Sequence, residues 1–137
     1  MMSIYEFRAL APELSGMYQS SYPVGSRRTV VPAPTDTDDD WLLFTKDVHA
    51  LAGVAIAHGF EVDSGSIILD PLDVIASRHQ FFWSMSREAD KLNIIITQDE
   101  TFLHKFLAAT SVAKRLNLQG KDDRIALFQA VLYGNGC

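Results

Sequence analysis

Val24-Gly25-Ser26, then eleven residues from Arg27 to Thr37, then Asp38-Asp39-Asp40-Trp41-Leu42-Leu43-Phe44 is the stretch that decides the fold. Its apolar end, Trp41 to Phe44, reads as the centre of a strand running from Asp38 to Thr45. Side chains two apart on a strand share a face, so Asp38 and Asp40 point the same way. Two carboxylates on one face repel each other unless a cation lies between them. Mg²⁺ takes a few such oxygens together with phosphates and water. Gly25 lets the backbone come close to a phosphate, and Ser26 adds a hydroxyl and an N–H donor. Asp36 and Asp38 have the same spacing, but Asp38 and Asp40 abut the apolar run that would hold them rigidly. Taken singly, Gly-Ser is a common turn dipeptide and an aspartate cluster is commonly a solvated loop. The joint spacing, with a strand following at once, is what points to a site.

Working outward, Ser3 to Tyr18 has apolar residues at helical spacing (Ile4, Phe7, Leu10, Leu14, Met17), with Pro12 set to kink or split it. Ser20 to Ser26 reads as a turn, and Arg27 to Asp40, with Pro32 and Pro34, as a loop. Asp47 to His58 is a helix stopped at Gly59. Ser66 to Leu69 is a short strand, and Asp70-Pro71 opens a helix to Ser77. Phe81 to Ser86 and Leu92 to Thr97 form a hairpin across the charged turn Arg87 to Lys91. A long helix from Asp99 or Thr101 to about Leu116 turns Phe102, Phe106, Ala109, Ala113 and Leu116 inward. A last helix, Lys121 to Tyr133, turns in Ile125, Phe128, Val131 and Leu132 before the stop at Gly134. The expected class is α+β: a small mixed or antiparallel sheet of about five strands flanked by helices.

The chain has 137 residues, 47% of them hydrophobic and 21% charged, which suits one domain, residues 1–137, with a real core. A formal net charge of −5 argues against the overall basic field of a non-specific duplex binder. Cys137 is the single cysteine, so an internal disulfide is excluded and a reducing compartment, the cytoplasm, is expected. No run approaches the roughly 18 apolar residues of a membrane span, and Glu6 and Arg8 interrupt the N-terminus where a secretory leader would be apolar. No membrane association is expected.

Gly25-Ser26-Arg27, the spacer and Thr37-Asp38-Asp39-Asp40-Trp41-Leu42-Leu43-Phe44 resemble the Gly-Ser start and the (Ser/Thr)-Asp-x-Asp strand of the nucleotidyltransferase (DNA polymerase beta-like) superfamily. Leu92 to Thr97, with the helices through Lys114–Leu118 and Asp123–Phe128, is similar in texture to bacteriophage-encoded nucleotidyltransferase-like proteins. The resemblance implies a minimal nucleotidyltransferase-like domain that moves a nucleoside monophosphate from an NTP to an RNA end or a protein hydroxyl. Asp38 and Asp40 would be catalytic and hold Mg²⁺. Gly25, Ser26 and Arg27 would bind the nucleotide. The superfamily usually supplies a third carboxylate from a later strand. The matching position is Asn93, which is neutral and cannot act as a base. Glu88, Asp90 and Asp63 are the other acidic groups considered for that role. Asn93 therefore favours an alternative, a degenerate module of the same fold that binds nucleotide, RNA or protein. In a chain this short, a homodimer or protein partner is expected to supply acceptor surface.

Arg27 and Arg28 are suited to gripping phosphates, or else are ordinary loop charges. Lys105, Lys114 and Arg115 read chiefly as a solvated helix face. Phe82, beside the cations Arg78 and Arg87, reads as core rather than as a base-stacking platform. His49, His58, His79 and His104 lack the spacing of a zinc helix, and no Ser-His-Asp triad can be assigned.

Overall fold

The computed structural model describes residues 2–34, 37–62 and 82–133. Helix α1 spans Ile4–Leu10. The Ser3 hydroxyl accepts from the Glu6 N–H while the Glu6 carboxylate accepts from the Ser3 N–H, a reciprocal capping box. Pro12 splits the expected long helix: α1 ends, and a single 3-10 turn, Pro12–Leu14, follows. Phe7 and Leu14 are buried, whereas Leu10, last before the break, is 42% exposed.

The segment expected to be a turn is in fact strand β1, Ser20–Val24. Pro23 concealed it. In the sheet order β1-β2-β5-β4-β3, however, β1 is an edge strand, where a missing N–H is tolerated. The expected loop after it begins with one helical turn, α2, Ser26–Thr29. Strand β2 is Asp39–Phe44. Helix α3, Val48–Ala57, is capped by the Asp47 carboxylate, which accepts from the Ala50 N–H. Its exit is Gly59 at φ +93°, where a side chain would be strained. Strand β3 is only Glu61–Val62. The expected strand Ser66 to Leu69, helix Asp70 to Ser77 and stop at Gly134 lie outside the described residues.

Strands β4, Trp83–Arg87, and β5, Leu92–Thr97, form the expected hairpin. Helix α4, Glu100–Leu116, is capped by Asp99 and closed by Asn117 in the left-handed region. Helix α5 is Lys121–Tyr133. Among the described residues, three strand pairs are antiparallel, and only β2 and β5 run parallel. The result is α+β with a mixed five-stranded sheet.

Alternation divides the sheet into two faces. Trp41, Leu43, Met85, Leu92, Ile94 and Ile96 pack under α1 and α3, with Phe7 stacked on Trp41 at 4.6 Å between ring centres. Val24, Leu42, Ile95 and Phe82 pack under α4 and α5, with Phe82 stacked on Phe102 at 4.8 Å. Each fully buried side chain of this size contributes about 1.5–3 kcal/mol. Phe82 is therefore core, as its sequence position suggested. On α4, Phe102, Phe106, Ala109 and Ala113 are buried, but Leu116, in the last turn before the left-handed Asn117, is 60% exposed. On α5, Leu132 is buried, Phe128 packs against the core, and Ile125 and Val131 are half-buried because α5 lies chiefly on α4.

Arg87 ties the first face together. It donates to Glu13, to both Asp90 oxygens and to the Leu10 and His58 carbonyls, and its guanidinium lies 4.6 Å from the centre of the Phe60 ring. Among the described residues, no helix is long and apolar enough to cross a membrane.

Candidate functional site at one end of the sheet

Strand register brings the acidic run and the Gly-Ser turn to the same sheet end. Antiparallel pairing sets Val24 opposite Asp40, so the chain leaves β1 at Gly25 beside the start of β2. Parallel pairing sets Asn93 opposite Asp40 on the other side. Gly25 has φ +83° and ψ −178°, a conformation available essentially to glycine alone. It also lies directly against Asp40. A Cβ built at Gly25 would overlap the Asp40 Oδ2 and stand 2.7 Å from Cγ and 2.8 Å from Cβ. Ser26 follows as the first residue of α2. Gly25 and Asp40 thus meet, with Ser26 next in the chain, and Asp38, two residues before Asp40, adds a charge that Asp40 senses.

The electrostatics at Asp40 are those of a carboxylate short of positive charge. Burial first, and then the charges of Asp38 and Asp39, raise its carboxyl from the ordinary 3.8 to about 7. Arg27 and Arg28 oppose that rise without cancelling it. No hydrogen bond from the described residues contributes. A divalent cation would supply the missing charge, so the donor set fits Mg²⁺, which needs few protein oxygens. Among the described residues there is no group of three His, Cys, Asp or Glu side chains that would make an all-protein cage.

Asp39 faces the other way. It is 2% exposed and shares its face with Trp41. Arg28 Nη2 donates to Asp39 Oδ1 at 3.3 Å, and Arg27 Nη1 lies 3.5 Å from Oδ2. Arg27 also donates to the Thr37 carbonyl. The residue expected on the nucleotide is therefore engaged with Asp39, though its side chain keeps 22% exposure.

Asn93 occupies the face of Asp40. Its Nδ2 donates to Ser84 Oγ at 3.2 Å, Ser86 Oγ at 3.1 Å and the Met85 carbonyl at 3.0 Å. Of the other acidic groups considered for the third position, Asp90 is bound to Arg87 beside Glu13 and Leu10, on the α1 side. Glu88 lies in the β4–β5 turn, outside both strands. Asp63 and Asp36 lie outside the described residues. A hollow of about 360 Å³ lined by Ile4, Arg8, Tyr18 and Ser21 sits beside α1, and none of its lining residues belongs to the acidic run.

Asp39, Ser84 and Ser86 escaped the sequence reading. Alternation already puts Asp39 opposite to Asp40, and a buried aspartate calls for a cation such as Arg28. Ser84 and Ser86 were legible only once the hairpin register placed them across from Asn93.

No family model matches the chain, and no curated protein matches it by sequence. Bacteriophage-encoded proteins, expected from sequence texture, find no support in these comparisons. Among solved structures, the fold is similar to that of the conserved protein GrpB from Enterococcus faecalis, with a TM-score of 0.56 over 93% of this chain and 88% of that chain at 13% identity. At such identity the likeness carries the fold alone, an α+β arrangement.

Proposed function

We propose that the chain binds a nucleoside triphosphate with Mg²⁺ at this sheet end and transfers its nucleoside monophosphate to an RNA end or a protein hydroxyl. The observation that carries the reading is the contact of Gly25 with Asp40, two residues far apart in sequence. Gly25 lets the backbone lie directly against Asp40, and Ser26, next in the chain, offers its hydroxyl and N–H to a phosphate. Asp38 and Asp40 hold the cation. Arg27, in α2 and part-exposed beside Asp39, adds a positive charge that is felt at Asp40. Bound Mg²⁺ supplies charge neutralisation to the polyphosphate and its leaving group. A cytoplasmic location and a homodimer or protein partner lending acceptor surface belong to the same proposal.

A second reading rests on Asn93. A neutral amide donating to two serines cannot take a proton from an acceptor hydroxyl, which favours a module that binds nucleotide, RNA or protein without transfer. One assay separates the two. The chain is incubated with α-labelled NTPs, Mg²⁺ and either total RNA or cell lysate. Label transfer lost in Asp38→Ala and in Asp40→Ala supports the transferase. Nucleotide binding without transfer supports the module. Absence of both transfer and binding refutes the nucleotide site itself.

A further inference from the structure

Of the three consecutive aspartates, the middle one is turned to the face opposite Asp40 and buried against an arginine. We propose that Asp39 and Arg28 are a positioning pair: they set the separation between the Gly25-Ser26 turn and the Asp38/Asp40 strand edge, a role that rests on the nucleotide-site reading above.

Gly25 caps α2 and Ser26 opens it, Asp40 belongs to β2, and a long loop lies between them. Helix α2 is a single turn, too short to hold its own geometry in water. Backbone pairing with β2 ends at Val24, one residue before the turn. Beyond that point, α2 reaches β2 through Arg28 and, less buried, Arg27, both at Asp39. Arg28 is three residues past Gly25, and Asp39 is one residue before Asp40. Both partners are anchored in turn. Arg28 Nη2 also donates to the Met2 carbonyl at 2.7 Å, and its guanidinium carbon is 5.5 Å from the Trp41 ring centre. The Asp39 N–H donates to the Lys91 carbonyl at the entrance to β5. The side chains are 8% and 2% exposed. Nε and Nη1 of Arg28 are buried without a hydrogen-bond partner, so the pair is not fully satisfied. A buried pair of that kind adds little net stability over apolar side chains of like volume. What it adds is placement: the ionic contact on one face of β2 holds α2 where Gly25, just before it, abuts Asp40 on the other.

The decisive variant is Arg28→Met/Asp39→Leu in the full chain, compared with wild type by NMR and by titration. The Gly25 Hα to Asp40 Hβ Overhauser contact reads the separation directly, and the Phe7–Trp41 ring contact reports the fold. Wild type is expected to show both, and the double variant to keep the ring contact and lose the other. Mn²⁺ alone touches only the strand edge, so its affinity is expected to stay within about twofold, while Mn²⁺ with an NTP, which spans the cleft, weakens about tenfold or more. A merely structural pair would move both affinities together. A Gly25–Asp40 contact at full strength in the folded double variant overturns the proposal. Should wild type bind no nucleotide, the functional reading falls, and the Overhauser comparison alone still decides the pair. If the double variant does not fold, Asp39→Asn, which keeps the shape and drops the charge, is read the same way: a weakened contact supports the pair, and an unchanged one overturns it.

Discussion

Replacing Gly25 by alanine drives a methyl group into the side chain of Asp40. Two terms set the magnitude. At φ +83° and ψ −178°, a non-glycine residue is strained by about 1–3 kcal/mol. The added Cβ would also stand 2.8 Å from the Asp40 Cβ, which turning the carboxylate aside cannot relieve, so β1 and β2 must part locally. Overpacking of this kind costs about 1–3 kcal/mol. Alanine's smaller unfolded-state entropy returns about 0.4–1 kcal/mol. The net expectation is a loss of about 1–5 kcal/mol. Urea denaturation measures it, and with a slope of about 1.5 kcal/mol/M the midpoint falls by about 0.7–3.5 M. A double-mutant cycle with Asp40→Gly isolates the contact, because removing that side chain relieves the overlap and leaves the backbone strain. A coupling of about 1–3 kcal/mol is expected. Additivity within about 0.5 kcal/mol would mean that Gly25 and Asp40 do not touch.

Three further outcomes follow from the same geometry. The Asp40 carboxyl is raised from 3.8 to about 7, so the folded state holds that proton more tightly than the unfolded chain does. Its contribution to stability is full below about pH 4 and is lost as pH rises towards 7, by at most about 4 kcal/mol; without divalent cation, wild type minus Asp40→Asn should show that slope in denaturation between pH 4 and 8, and parallel curves would refute it. Asp39→Ala leaves Arg28 buried without its counter-charge and should lower stability by about 3 kcal/mol, whereas Arg28→Met/Asp39→Leu should fall by far less; equal losses in urea melts would contradict the pairing. Arg87→Lys keeps one charge but not the planar fork that serves Glu13, Asp90 and two carbonyls, so a loss of about 2 kcal/mol is expected, and a thermal midpoint unchanged from wild type would refute that role.

Local chemistry made much of the fold readable. Ser3, Asp47 and Asp99 stand where helices begin, and the Arg87 to Lys91 turn joins two strands whose apolar residues alternate correctly. Strand β1 was hidden because Pro23 argues against a strand unless the strand is known to be an edge, which only the tertiary order tells. Leu116 was misplaced because helical periodicity does not say where the partner surface stops. At the site, the apolar run located β2, which begins at Asp39 and leaves Asp38 just before the strand, so alternation does not reach it; the parallel register of β2 and β5 set Asn93 beside Asp40. The role of Arg27 was not legible. Its pull towards Asp39 depends on α2 being a helical turn, and a proline-rich spacer gives no sign of one.

The most direct test is paramagnetic broadening by Mn²⁺ with a non-hydrolysable NTP analogue, read on the backbone amides of the full chain. The account predicts that Gly25, Ser26, Asp38, Asp40 and Asn93 broaden together and that Tyr18 and Ser21, beside the hollow next to α1, do not. Uniform sharp signals, or broadening centred away from the start of β2, would contradict it.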